Sequence, residues 1–201
     1  MKISDSKSGI VKKCEVYGLE ESFRASKYPK SIDVELVNSD YTNTIRNLAT
    51  SGKGEGHDNF LCGIVVQFDL WFTIKAWTEA ERYHFFDIIS SQSTMHKITQ
   101  FDLDTSYIEY VDERIVDIIK GKVAEFNSLE SPEAKAQKRL EILYSNPCGM
   151  KLTARMTTNY RQLKTIYAQR RTHFLPEWRE FCEWIEKLPY SELITCKTID
   201  K

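Results

Sequence analysis

The segment from Gly63 to Ile74, GIVVQFDLWFTI, decides the fold because it carries the strongest strand pattern in the chain. Its apolar side chains alternate with more polar ones, as expected for a strand with one buried face. These apolar residues are Val66, Phe68, Leu70, Phe72 and Ile74. An earlier segment, IVKKCEVY at residues 10–17, mixes β-branched and aromatic residues and predicts a first strand.

Helical spacing dominates the rest of the sequence. Six helices are predicted, at residues 40–49, 78–89, 107–126, 132–144, 158–171 and 176–188. Asp40 or Thr42 caps the first helix, and Thr78 with Glu81 forms a capping box at the start of the second. The glycine-rich segment SGKGEG, residues 51–56, predicts a flexible loop. The whole pattern predicts one mixed α+β domain over all 201 residues.

The composition bounds the class of protein. With 201 residues, 41% hydrophobic and 28% charged, the chain is long enough for one domain with a substantial core, and short for two. The formal net charge of −1 gives no global attraction for long nucleic acid. The N-terminus lacks the apolar core of a signal peptide, and no apolar run approaches the roughly 20 residues that span a bilayer. We therefore expect a soluble cytoplasmic protein without a membrane partner.

The cysteines and histidines show no spacing typical of a metal site. The five cysteines are scattered and odd in number, which predicts reduced thiols: they are Cys14, Cys62, Cys148, Cys182 and Cys196. His57 follows the glycine-rich loop, where a ligand-facing turn and an exposed loop are equally compatible with the sequence. His84 lies among aromatic residues, where a core histidine is the default. No nucleophile motif, phosphate-binding loop or dinucleotide fingerprint is present, so no catalytic residue is assigned.

The segment from Asn159 to Trp178, NYRQLKTIYAQRRTHFLPEW, concentrates hydrogen-bonding capacity on a predicted helix and the turn after it. Its candidate ligand-binding residues are Asn159, Arg161, Arg170, Arg171 and His173. Because guanidinium groups grip planar anions through two parallel hydrogen bonds, the segment predicts an anionic ligand, in particular a nucleotide. The alternative is a basic helix surface that pairs with nearby glutamates, and the sequence leaves both interpretations open.

A second polar segment, SSQSTMH at residues 90–96, follows the predicted helix at 78–89. Six of its seven side chains form hydrogen bonds, and together with the backbone amides they can surround a phosphate. The candidate phosphate-binding residues are Ser90, Ser91, Gln92 and Ser93. The alternative is a polar connection between two elements.

The order of these short segments resembles the flavin-dependent thymidylate synthases along most of the chain. The matching segments are VYGLEESFRAS at residues 16–26, Gly56-His57, Tyr83-His84-Phe85, Ser90-Ser91-Gln92-Ser93 with Thr94-Met95-His96, and Asn159, Arg161, Leu163, Arg170, His173 and Glu177-Trp178. The resemblance implies an α+β domain with an antiparallel sheet, assembled into homotetramers with active sites at subunit interfaces. It also implies binding of FAD, of dUMP or a related pyrimidine nucleotide, and of methylene-tetrahydrofolate, with NADPH as the reductant.

The resemblance also implies roles for individual residues. His57, His84, Asn159 and Arg161 would lie near the flavin. The nucleotide would be bound by Ser90, Ser91, Gln92, Ser93, Arg170, Arg171 and His173. No enzyme cysteine attacks the pyrimidine in this family, which agrees with the missing nucleophile motif.

Three cations of the family pattern are replaced in this chain. Tyr83 and Phe85 occupy the positions of the two arginines of its arginine-histidine-arginine motif, and Met95-His96 replaces its closing Arg-Tyr. An aromatic ring cannot replace a bidentate guanidinium, and each lost charge-assisted hydrogen bond is worth about 1.5–3 kcal/mol. Two hypotheses follow: a divergent flavin-dependent enzyme acting on a pyrimidine nucleotide, or a catalytically silent relative that serves as a nucleotide-binding or protein-interaction module.

Overall fold

The computed structural model describes residues 1–52 and 54–196; Lys53 of the glycine-rich segment lies outside the described residues. Within these residues the strands are β1 (Lys2–Ile3), β2 (Val11–Tyr17), β3 (Val65–Thr73), β4 (Phe86–Ser91) and β5 (Lys151–Asn159). The α-helices are α1 (Leu19–Ala25), α2 (Asn43–Ala49), α3 (Ile74–Ala80), α4 (Thr94–Lys97), α5 (Glu113–Ser128), α6 (Pro132–Ser145), α7 (Tyr160–Arg170), α8 (Pro176–Ile185) and α9 (Glu192–Thr195). The strands form one sheet in the order β1-β2-β3-β5-β4, with every pair antiparallel. The predicted α+β fold with an antiparallel sheet is confirmed.

Strand β3 is central to the sheet, and its alternation of apolar residues is the pattern seen in the sequence. Val66, Phe68, Leu70 and Phe72 are completely buried on one face. This face packs against α8, where the ring of Phe68 lies 5.0 Å from that of Trp184. Fully burying a side chain of this size contributes about 1.5–3 kcal/mol, so the β3–α8 contact is a major source of stability.

Two predicted boundaries were wrong. The helix predicted at residues 78–89 instead begins at Ile74, where the Thr73 hydroxyl accepts a hydrogen bond from the Ala76 amide, and it ends at Ala80. The chain then enters β4, which pairs with β5. Pairing along a neighbouring strand overrides the local helical pattern, as is common for strand segments.

Strand β5 was not predicted, because its short apolar face of Leu152, Ala154 and Met156 lies among threonine, lysine and arginine. It nevertheless pairs along its whole length with β3, from Val65 opposite Asn159 to Thr73 opposite Lys151. It therefore carries the chain directly into α7, and the helix predicted from residue 158 begins at Tyr160.

The remaining predicted helices are confirmed with shifted ends. Thr42 caps α2 by accepting from the Ile45 amide, and α6 and α8 both begin with proline. Helix α5 begins at Glu113, later than predicted, after its cap Asp112. Helices α5 and α6 enclose a second, smaller core around Ile119, Ile142 and Met150. No described helix has both the length and the apolar character needed to cross a membrane.

Candidate functional site

A cavity of about 720 Å³ runs along one face of α7. The helix lines it with side chains at the spacing of a single helical stripe: Arg161, Gln162, Lys164, Thr165, Ala168 and Gln169. The opposite stripe, which includes Leu163 and Ile166, is buried in the main core. The other walls come from the loop between α2 and β3, with Asp58 and Cys62, and from Phe85 just before β4. Helix α7 is thus amphipathic: one face packs in the core, and the other lines a cavity large enough for a small ligand.

One carboxylate neutralises part of the positive charge in this cavity. Asp58 Oδ1 lies 3.2 Å from Arg161 Nε, and Asp58 Oδ2 lies 2.9 Å from Lys164 Nζ. Lys164 Nζ also donates a hydrogen bond of 2.5 Å to the carbonyl of Ala49. Asp58 and Lys164 are largely buried, whereas the side chain of Arg161 is 41% exposed. The three groups fasten the loop to α7 and leave one net positive charge among the described lining residues.

Asn159 serves as the N-cap of α7. Its Oδ1 accepts a hydrogen bond of 2.9 Å from the backbone amide of Gln162, which satisfies one of the donors left open at the start of the helix. Asn159 also lines the cavity. Its side-chain carbonyl is thus engaged within the chain, and its amide nitrogen is the group that remains for a ligand.

Phe85 presents an aromatic ring to the same cavity from a strained backbone position. Its φ angle is +60°, in the left-handed region that bulky residues rarely occupy. The Thr158 hydroxyl donates a hydrogen bond of 2.7 Å to the Phe85 carbonyl, while the next residue, Phe86, packs in the core. The Phe85 side chain is left 66% exposed. Such strain costs about 1–3 kcal/mol and clusters at functional sites.

The two histidines expected near the cofactor are both exposed. His57 directly precedes Asp58 at the loop wall, and His84 precedes Phe85. The sequence default of a core histidine was therefore wrong for His84. Among the described residues, no group of three or more His, Cys, Asp or Glu side chains is arranged to hold a metal ion.

Arg170 lies outside the cavity, in a buried ionic cluster. Its Nη1 donates to Glu79 Oε2 at 2.7 Å, and its Nε donates to the Tyr83 hydroxyl at 2.7 Å. The guanidinium also lies 4.9 Å from the centre of the Trp178 ring, and the residue is only 9% exposed. The donors of Arg170 are thus engaged in joining α7 to α3.

His173 belongs to the same cluster. Its Nδ1 accepts a hydrogen bond from the Leu175 amide, and its Nε2 lies 2.7 Å from Arg170 Nη1 and 3.2 Å from Glu79 Oε2. Burial raises the pKa of Glu79, but the charges of His173, Arg170 and Lys75 more than offset this and lower it overall. Arg171, by contrast, is exposed, and its Nη1 donates to the Ala168 carbonyl near the end of α7.

The polar segment at residues 90–93 lies far from this cavity within one chain. Ser90 pairs with Arg155 and Ser91 with Ala154, on the edge strand β4. Gln92 extends the pairing, because its Oε1 accepts from the Thr153 amide at 2.9 Å. Six residues of extended strand separate Thr153 from Asn159, a distance of about 20 Å. Within one chain, residues 90–93 therefore do not line the α7 cavity, which holds Asn159 and Arg161.

Comparison with solved structures identifies the architecture. Two crystal structures of the flavin-dependent thymidylate synthase of Helicobacter pylori, each with FAD and dUMP, superpose on this chain with TM-scores of 0.67 and 0.68. The chain shares their fold. The sequence identities are 14% and 15%; the aligned regions cover 95% and 92% of this chain and 96% and 95% of the other chains. At such identity the likeness shows the flavin-dependent thymidylate synthase fold alone. No family model and no curated protein sequence matches the chain.

Several residues of the site were missed by sequence reasoning. Asp58 and Lys164 are 106 positions apart and meet only in the folded chain. The three-residue spacing of Arg161 and Lys164 on one helix face was a usable signal, because residues at this spacing are neighbours. For Phe85 the departure from the family pattern was noticed, but its exposure in the cavity depends on the backbone geometry at β4.

Proposed function

We propose that the cavity beside α7 binds a flavin, and that the protein is a nucleotide-binding relative of the flavin-dependent thymidylate synthases. The observation that supports this proposal most strongly is a cavity of about 720 Å³, which Asn159 and Arg161 line. The chain has the fold of enzymes that were crystallised with FAD and dUMP. This volume is within the range of about 300–1,000 Å³ typical of small-molecule sites. The exposed ring of Phe85 adds a flat surface on which a heteroaromatic ring can stack.

The lining residues fit the ring of a flavin and do not fit the diphosphate of FAD. Gln162, Thr165 and Gln169 offer hydrogen bonds to the polar edge of a ring. The cations Arg161 and Lys164, however, are already paired with Asp58. The diphosphate of FAD would have to share both cations with the Asp58 carboxylate.

The enzymatic form of this proposal is methylation of dUMP, or of a related pyrimidine nucleotide, with a flavin, methylene-tetrahydrofolate and NADPH. In that reaction the chain would contribute orientation and exclusion of water, and the cofactor would supply the redox chemistry. Phe85 and the α7 stripe would hold the ring, while the 90–93 segment would hold the nucleotide phosphate.

The distance between the two parts supports a homo-oligomeric, tetrameric assembly. Along β5, residues 90–92 lie about 13–20 Å from Asn159 in the α7 cavity of their own chain. The site would be completed by the cavity of another copy. The exposed apolar residues Ile88 and Ile89 on the edge strand suit such a contact, because a long unprotected edge readily associates.

The second candidate function is a catalytically silent relative that serves as a nucleotide-binding or interaction module. One observation favours the loss of activity and, within this candidate, the interaction module: Arg170, expected at the nucleotide, is engaged with Glu79 and Tyr83. A product assay separates the two functions. Formation of dTMP from dUMP, methylene-tetrahydrofolate, NADPH and flavin, followed by mass spectrometry, identifies the enzyme; flavin binding without product identifies the silent module.

Thiol protection tests whether the cavity binds flavin. Cys62 is exposed and lines the cavity, whereas Cys148 and Cys196 are exposed elsewhere. Burial raises the pKa of both Cys14 and Cys182 to about 12, so they stay unreactive near neutral pH. We expect saturating riboflavin to slow alkylation of Cys62 at least threefold while the rates at Cys148 and Cys196 stay constant. Equal rates at all three with and without every flavin tried would count against the proposal.

A further inference from the structure

We propose that this cavity recognises a flavin through its ring and not through its phosphates, so that riboflavin, FMN and FAD bind with similar affinity. This inference rests on the proposed binding of a flavin at α7. The recognised part of the ligand would be the flavin ring. The basis of this inference is that both cations among the described lining residues lie against one carboxylate.

The charges inside the cavity are partly compensated within the chain. Arg161, Lys164 and Asp58 are the charged groups among the described lining residues. Asp58 uses one carboxylate oxygen for each cation, at 3.2 and 2.9 Å. The carboxylate faces Arg161 through Nε, while Arg161 Nη1 lies 4.0 Å from Cys62 Sγ. A phosphate that enters must therefore share both cations with this carboxylate and accept its repulsion at short range. The attraction that remains is that of a single net positive charge.

The charge of Arg170, beside the cavity, is also compensated within the chain. Tyr83 uses its hydroxyl to accept from Arg170 and to donate to Gln169 at 2.9 Å. Arg170 is balanced by Glu79 and covered by the rings of Tyr83 and Trp178. A guanidinium that is 9% exposed cannot turn towards a phosphate without breaking this cluster. Arg170, which is buried at the end of the same helix, is therefore no substitute for the missing cations.

The ring of Phe85 gives the cavity an aromatic surface. It is the only aromatic side chain among the described residues that line the cavity, and its backbone is held by the bond from Thr158. A ring that is left exposed on a held backbone offers a stacking surface to a flat ligand. The chain thus has an aromatic surface where the family pattern has an arginine, which matches a ligand that is flat and weakly charged at this point.

Equilibrium dialysis of the full chain against riboflavin, FMN and FAD, at about 0.15 M salt, tests the inference. We expect the three Kd values to lie within fivefold of one another. One unshared charge-assisted hydrogen bond to phosphate strengthens binding by about tenfold or more. A fivefold or greater preference for FMN or FAD over riboflavin would therefore overturn the inference and leave flavin binding intact. Failure of all three flavins to bind would overturn the proposed function itself.

Asp58→Asn provides a variant in which the preference should change. Removing the carboxylate releases Arg161 and Lys164, so FAD should gain at least fivefold over riboflavin. Asp117→Asn, on the exposed face of α5, makes the same change in net charge far from the cavity and should leave the ratio unchanged. An unchanged ratio in Asp58→Asn would contradict the role of this carboxylate.

Two further measurements keep the inference testable if Asp58→Asn does not fold. Phe85→Leu should weaken all three flavins by about fivefold or more, because stacking on an aromatic ring is lost. Equal affinity of Phe85→Leu and the wild type would overturn ring recognition. In the wild type, the Kd of FAD should also respond to added salt no more steeply than the Kd of riboflavin, since no phosphate contact is made. A steeper dependence for FAD would show a phosphate contact and overturn the inference.

Discussion

The guanidinium of Arg170 donates a 2.7 Å hydrogen bond to the carboxylate of Glu79, which lies 91 positions earlier in the chain. The side chains are 11% and 14% exposed, respectively. Because Glu79 lies on α3 and Arg170 at the end of α7, this pair connects the helix that follows β3 with the helix that follows β5. It fixes the end of the helix that carries the cavity.

Breaking this pair from one side should destabilise the protein strongly. Arg170→Ala leaves the buried Glu79 carboxylate with reduced compensation, and such changes cost about 3–5 kcal/mol. Urea unfolding followed by circular dichroism measures the loss. The double variant Arg170→Met with Glu79→Leu removes both charges and should be less destabilised than Arg170→Ala. A loss below 1 kcal/mol in the single variant would show that the pair is not a structural brace.

The same cluster should make stability depend on pH at the acidic end. The pKa of Glu79 is lower in the folded than in the unfolded chain. Its contribution is therefore fully present above the unfolded pKa of about 4.3 and is lost as the pH falls through the folded value. The difference in unfolding free energy between the wild type and Glu79→Gln should be largest above about pH 5 and shrink on acidification. A difference that is constant between pH 3 and pH 7 would contradict the lowered pKa.

The sequence predicted the elements that have a strong pattern of their own. Strand β3 and helices α2, α6 and α8 have local apolar spacing, and the helices have a local start signal: a side-chain cap for α2 and α6 and a proline for α6 and α8. Their positions were therefore recognisable. Strand β5 buries Ala154 and Met156 among polar neighbours, and it is a strand because β3 and β4 pair with it on both sides. Strand β4 was taken for a helix for the same reason. Partners distant in sequence decide both elements.

The candidate site shows the same division between local and long-range information. Arg161 and Asn159 were recognised as candidates, and both line the cavity. The local sequence could not show that Asp58 would pair with Arg161 or that Glu79 would engage Arg170. The positive charges of this helix suggest an anion site in the sequence. In the folded chain these two carboxylates compensate much of that charge.

The cap of α7 separates a structural from a ligand-binding role for Asn159. Asn159→Ala removes the acceptor for the Gln162 amide and should lower stability by about 0.5–2 kcal/mol. Asn159→Ser keeps an effective cap and should stay near the wild type in thermal unfolding. If the side-chain amide also contacts a flavin, both variants should weaken flavin binding to a similar extent. Binding that weakens only in the alanine variant would assign the effect to the helix end and not to a contact.

Phe85 should show opposite effects on stability and on binding. Its φ of +60° strains a phenylalanine and suits a glycine, so Phe85→Gly should raise the free energy of unfolding by about 1 kcal/mol in spite of the lost ring. The ring is 66% exposed and contributes little burial, which is why the relief of strain should dominate. The same variant should bind riboflavin at least fivefold more weakly, because the stacking surface is gone. Phe85→Ala serves as the control, since it loses the ring and keeps the strained backbone: it should bind as weakly as the glycine variant without its gain in stability. Equal stability of the two variants would show that the backbone conformation at Phe85 does not destabilise the protein. Undiminished riboflavin binding in both variants would show that Phe85 is not part of the site.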